Sequence, residues 1–178
     1  MIRFPLPDWV QPVPLSDVET ATARMTELLV AAQERGRVGR GELESAAGQL
    51  VEDAVDQGIW LLALARPPGR PAALLSAVGF PAPARLDRHS AVELTSYLTD
   101  RGGPGVAGVE SVPLAWDDRA VLAHRSDASG AQAQALLTDA DGGTCYLLTL
   151  AGQEADRGPE LLAVLRELVA AAVVDDGS

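Results

Sequence analysis

The chain contains no lysine and no asparagine; all 14 of its basic residues are arginine. Without lysine there is no Schiff-base chemistry, no covalently held pyridoxal phosphate and no phosphate-loop lysine. Without asparagine there is no N-glycosylation acceptor. Codons for both residues are AT-rich, so their joint absence points to a GC-rich genome. One cysteine, Cys145, excludes an internal disulfide and a cysteine-cluster metal site, and such thin usage fits a reducing cytosol. Aromatic residues make up 4% of the chain, a poor supply of stacking platforms for nucleic-acid bases. No apolar run approaches the roughly 20 residues of a membrane span. The opening Met1-Ile2-Arg3-Phe4-Pro5-Leu6-Pro7 has neither a charged region followed by an apolar run nor a lipobox cysteine. It predicts no signal peptide and a cytoplasmic location.

Acidic charge is what the chain does have. Against the arginines stand 25 acids, for a net charge of -11. Phosphate backbones and anionic membranes repel such a chain, so the expected partner is another protein, with no nucleic acid and no membrane. With 178 residues, 47% hydrophobic and 22% charged, a folded domain with a real core is expected, and wholesale disorder is not.

The pattern predicts a single α+β domain over 1–178. Residues 1–15, with Pro5, Pro7, Pro12 and Pro14, read as an extended segment, a candidate edge strand with Phe4, Trp9 and Val13 available to pack. Residues 16–56 read as a helical hairpin. Its first helix opens on a Ser16/Glu19 capping box and ends at Gly36; its second runs from about Glu42 to Asp56 and ends at Gly58. Residues 58–174 supply the sheet and two further helices. Strands are expected at 59–65, 73–80, 106–115, 119–125, 132–138 and 144–150, a helix after a second capping box (Ser90, Glu93), and a terminal helix from Pro159. Turn chemistry at Pro67-Pro68-Gly69, Asp117-Asp118 and Asp141-Gly142 separates strands. The expected fold is an antiparallel sheet of about six strands packed with helices. Several strands are apolar on both faces, which predicts helices on both sides, an α/β/α sandwich.

Chemistry-bearing residues are few. His89 and Glu93 are spaced as metal ligands can be, but Glu93 is wanted by the cap. His124 is a possible general base near a strand end, and Cys145 a buried thiol in an apolar strand. These two are the one nucleophile–base pairing to check across the meander. Asp117, Asp118 and Ser129 read as turn residues. The polar cluster with most promise is Arg35, Arg37 and Arg40, in a glycine-rich loop between the first two helices, a docking point for an acidic partner. Trp60 reads as core, and Trp116, at a hairpin tip, either as packing under the sheet edge or as part of a binding surface. No catalytic, cofactor or metal residue set emerges.

Two stretches carry a family resemblance. The opening Arg3-Phe4-Pro5-Leu6-Pro7-Asp8-Trp9 is similar to an F-x-L-P-x-x-W start. Ser111-Val112-Pro113-Leu114, Arg119 to His124, Gln134 to Leu137 and Tyr146 to Leu150, followed by an amphipathic helix, resemble the PsbP-like α/β/α sandwich family, especially actinobacterial relatives of the LpqN type. The resemblance covers about half of the chain and rests on hydrophobic pattern. The 16–56 hairpin is a departure from it. It implies a non-catalytic binding or assembly module, with no catalytic residues to carry over. The leading expectation is therefore a cytoplasmic protein-binding module, for instance an adaptor in a secretion or regulatory system. A small enzyme or ligand binder using His124 and Cys145, and a self-associating structural protein such as a homodimer, are the alternatives.

Overall fold

A computed structural model of the chain describes residues 2–33, 38–81, 106–116, 119–139 and 143–174. The fold is α+β, and the described chain forms two compact units: Pro7–Val78, and Met1–Leu6 together with Gly79–Ser178. The helix expected after Ser90, with His89 and Glu93, lies outside the described residues, as do the Asp117-Asp118 and Asp141-Gly142 turns.

In the Pro7–Val78 unit, β2 (Val10–Val13), β3 (Ile59–Ala65) and β4 (Ala73–Pro81, leaving the unit at Gly79) pair antiparallel in that order. Helices α1 (Val18–Ala32) and α2 (Arg40–Asp56) cover one face. Ala21, Met25 and Leu28 of α1 and Ala47, Val51 and Ala54 of α2 recur at helical spacing and close over Val13, Leu62 and Leu64. Each fully buried Leu or Met here contributes about 2 kcal/mol through area removed from water. Ala63, Ala65, Leu75 and Ala77, on the opposite face, are buried as well, which is why these strands read as continuous apolar runs.

The hairpin's boundaries differ from expectation. Asp17, not Ser16, caps α1: its carboxylate accepts the Thr20 N–H at 2.8 Å, and hydrogen bonding from the Thr20 side chain, then from its amide, holds the Asp17 pKa below the ordinary value. The helix thus begins one residue later than the Ser16/Glu19 box would place it, with Thr20 in place of Glu19 as the third helical residue. Helix α2 starts two residues early, at Arg40, because Gly39 serves as its N-cap and the Glu42 carboxylate reaches back to the Gly39 N–H at 3.3 Å.

Trp60 is not core. The β3–β4 register shifts between Ile59 and Leu61, which oppose Val78 and Ala77. Two steps on β3 thus face one on β4, and Trp60 is the extra residue of a bulge. Alternation breaks there, and the indole turns outward, 46% exposed.

In the other unit, β5 (Val106–Pro113), β6 (Arg119–Asp127), β7 (Gly130–Thr138) and β8 (Thr144–Gly152) form an antiparallel meander in the order β8-β7-β6-β5. A 3-10 turn (Ala155–Arg157) leads into α3 (Gly158–Ala170), with Pro159 in its first turn as expected. Leu161, Leu165, Leu168 and Val169 of α3 are buried, and Ala131, Ala133 and Ala135 of β7 keep the strand surface low enough for the helix to lie close. Arg157 enters this packing with its charge met by Glu154 at 3.3 Å and Glu160 at 2.7 Å. Arg166 makes a two-pronged contact with Glu110 of β5, both bonds 2.7 Å. A short pair, β1 (Ile2–Arg3) with β9 (Val173–Val174), ties the two ends of the described chain together.

Seven strands thus occupy these two runs, where six were expected. The additional one is β2, taken from the proline-rich segment. No helix among the described residues is long and apolar enough to cross a membrane.

Candidate functional site

The first question is whether His124 and Cys145 meet. His124 stands opposite Ala133, and Cys145 opposite Thr138. Five residues of β7 separate those positions, roughly 17 Å at the usual strand rise. Five is odd, so the two side chains also leave opposite faces of the sheet. No nucleophile–base pair forms.

Each residue is also packed against reactivity. His124 lies between Gly108 and Gly158, where a Cβ on Gly158 would sit 2.5 Å from Nδ1. That nitrogen is enclosed and has no hydrogen-bond partner among the described residues. Nδ1 therefore has no room for a reacting atom, while the residue as a whole is half-buried. Cys145 is 1% exposed, and its thiol pKa is pushed up first by burial and then by the charge of Asp139. A thiol so held is a small hydrophobe. We expect a thiol-specific reagent at neutral pH to modify Cys145 only as fast as the native chain opens. Rapid stoichiometric labelling in native buffer would contradict this.

Of the sequence-predicted docking residues, Arg35 and Arg37 lie outside the described residues. Arg40 is exposed at the first position of α2. Trp116 is half-buried, with its indole N–H enclosed and without an acceptor among the described residues. Neither Arg40 nor Trp116 borders the groove described next.

That groove lies in the Pro7–Val78 unit. It is open to solvent and has a volume of about 380 Å³. Trp9 and Gln11 form one wall, Arg66 and Arg70 the other, and the Pro67-Pro68-Gly69 turn lies between the two arginines. Strand pairing brings the walls together: the Arg66 N–H donates to the Trp9 carbonyl at 2.8 Å, continuing the β2–β3 register by one residue. The turn closes with the Arg70 N–H donating to the Pro67 carbonyl at 3.1 Å. Gly69 has φ 71°, the left-handed geometry that the third residue of a type II turn needs, and Pro68 supplies the fixed φ of the second. Two prolines and a closed turn hold the arginine backbones in place before any ligand arrives.

Electrostatics separate these two cations from the paired arginines of the chain. Arg24 is paired with Glu27, Arg157 with Glu154 and Glu160, and Arg166 with Glu110. Arg66 and Arg70 are exposed, and neither has a carboxylate partner among the described residues. On a chain of net charge -11, they are an uncompensated positive spot beside a half-buried indole.

Sequence reasoning read Pro67-Pro68-Gly69 only as a turn. The signal that could have found the site is the pair of arginines directly flanking it, which a tight turn must bring to one end of the hairpin. Trp9 had no such signal, because its place depends on β2 pairing with β3 across a span that contains both helices. No protein-family model, curated protein or solved structure matches this chain.

Proposed function

We propose that this protein is a non-catalytic protein-binding module that grips an acidic segment of its partner in the Trp9–Arg66–Arg70 groove. One observation carries the reading: two exposed arginines with no carboxylate partner among the described residues bracket a rigid turn beside an aromatic wall, on a strongly acidic chain. Arginine and tryptophan are the side chains that most often anchor protein interfaces. A local positive patch on a negative chain also steers an acidic ligand to one place. Long polyanions suit it less, because the net charge opposes them away from the patch. The separation and packing of His124 and Cys145 favour a binding role over a catalytic one.

The wider setting belongs to the same proposal. We read the fold as an α/β/α sandwich of the PsbP-like kind, and the module as a cytoplasmic adaptor in a bacterial secretion or regulatory system. The β5–β8 meander with α3 packed on it, and the apolar composition of both faces of β3, support that reading.

The test uses synthetic peptides of matched length, one rich in glutamate and one in arginine, titrated against the full chain by fluorescence anisotropy. The acidic peptide binds, and its affinity falls as salt is raised. Arg66→Ala with Arg70→Ala weakens the binding by roughly 10- to 30-fold. Equal binding of both peptides, or acidic binding untouched by the double variant, overturns the proposal.

A further inference from the structure

The strand that forms one wall of the groove cannot take up another strand. In the order β2-β3-β4, β2 is an edge among the described residues. The hydrogen bond from the Arg66 N–H to the Trp9 carbonyl sets which backbone groups point inward. In an antiparallel pair those positions alternate, so Gln11 opposite Leu64 and Val13 opposite Leu62 also turn their groups toward β3. Val10 and Pro12 therefore turn theirs outward. The Val10 N–H is already donated to the Pro7 carbonyl at 2.8 Å. Pro12 has no N–H. The outer edge of β2 offers carbonyl oxygens and not one available donor. An added strand needs both, and its own carbonyls would meet only acceptors.

We infer that the groove takes an acidic, proline-containing segment in polyproline II conformation and reads it through side chains alone. This rests on the acidic-segment reading of the groove. A polyproline II chain has no internal hydrogen bonds and keeps its backbone solvated, so it asks nothing of the β2 edge. Its three-residue turn presents apolar proline ridges beside an acidic one. The ridge fits a wall of Trp9 and a floor of Pro67 and Pro68, because aromatic and proline surfaces are what such ridges dock on. Carboxylates beside the ridge meet Arg66 and Arg70, and Gln11 can donate to a ligand carbonyl. The ligand is also stiff before it binds, so little ordering entropy opposes association.

Two labelled peptides of equal length and charge test this against the full chain. One repeats Glu-Pro-Pro and the other repeats Glu-Thr-Val, a strand former. The proline peptide is expected to bind roughly fivefold or more tightly than the strand former, because it is preorganised and needs no edge. Pro12→Val, which restores an outward N–H, leaves the proline peptide's affinity unchanged and raises that of the strand former. Equal binding of the two peptides, or tighter binding of the strand former, overturns the polyproline inference while the acidic-segment reading stands. Failure of both peptides to bind, or binding of either that is undiminished by Arg66→Ala with Arg70→Ala, overturns the reading beneath it and the inference with it.

Discussion

Changing Arg66 and Arg70 together to glutamate is expected to weaken acidic-peptide binding by roughly 100-fold, and to give a basic peptide measurable affinity. Each exposed ion pair contributes at most about 1 kcal/mol, since water and salt compete for it. Reversal removes two such pairs and leaves like charges facing each other, so the loss exceeds that of the alanine double variant. Salt dependence should invert: the native chain binds the acidic peptide more weakly as salt rises, whereas screening relieves the repulsion in the variant. The fold should survive, because both side chains are exposed and the turn is held by backbone and proline geometry. Arg40→Glu separates this site from the arginine loop between α1 and α2. Unchanged affinity in that variant leaves the groove as the docking point, while a comparable loss moves it to the loop. Anisotropy titrations of the three variants at low and high salt decide the matter.

The largest effect on folding is expected at Gly130. It opens β7 directly after a two-residue turn in which the Asp127 carboxylate accepts from the Ser129 amide and hydroxyl, contacts that also lower the Asp127 pKa. Its φ is 140°, a conformation L-residues rarely adopt. A Cβ at that position would run into the Gly152 carbonyl oxygen on β8 and lie 3.2 Å from the Gln153 carbonyl oxygen. Both obstacles are backbone, and neither can swing aside as a side-chain tip can. Gly130→Ala should therefore cost about 3 kcal/mol or more, combining backbone strain with displacement of the β7–β8 pairing. Gly143→Ala is the matched control, because nothing lies within 4 Å of its added Cβ. It should change stability by no more than about 0.5 kcal/mol. Urea unfolding followed by circular dichroism measures both. A midpoint for Gly130→Ala close to the native one would show that the turn can rearrange at little cost.

How much of this was legible in the sequence depended on how far each feature reached along the chain. The six expected strands and the amphipathic stripes of α1, α2 and α3 follow from local periodicity, and each is present. The capping residue at α1 was off by one, because Ser16 and Asp17 both satisfy the composition rule and only geometry chooses between them. Strand ends at Asp127 and Gly130 came out longer than expected, since a turn of two residues needs less chain than the polar run suggested. Trp60 was misplaced because a bulge leaves no mark in composition; continuous apolar runs hide the loss of alternation. The groove was hardest to see. Its two walls are more than 50 residues apart in sequence, and only the β2–β3 pairing makes Trp9 and Arg66 neighbours. The sequence drew attention instead to arginines that are close together in the chain, at 35, 37 and 40.

The β1–β9 pair has a mechanical consequence. Ile2 faces Val174 and Arg3 faces Val173, so the outermost residues at both ends of the described chain sit side by side in an antiparallel ladder. A pull applied at the two ends would load this ladder one rung at a time, like a zipper, and not shear all its bonds together. Its two rungs would part at low force, well before load reached the β5–β8 meander. A tether attached at both ends would meet a soft latch in series with a stiff body. Extension would show a small early step, followed by a much larger resistance.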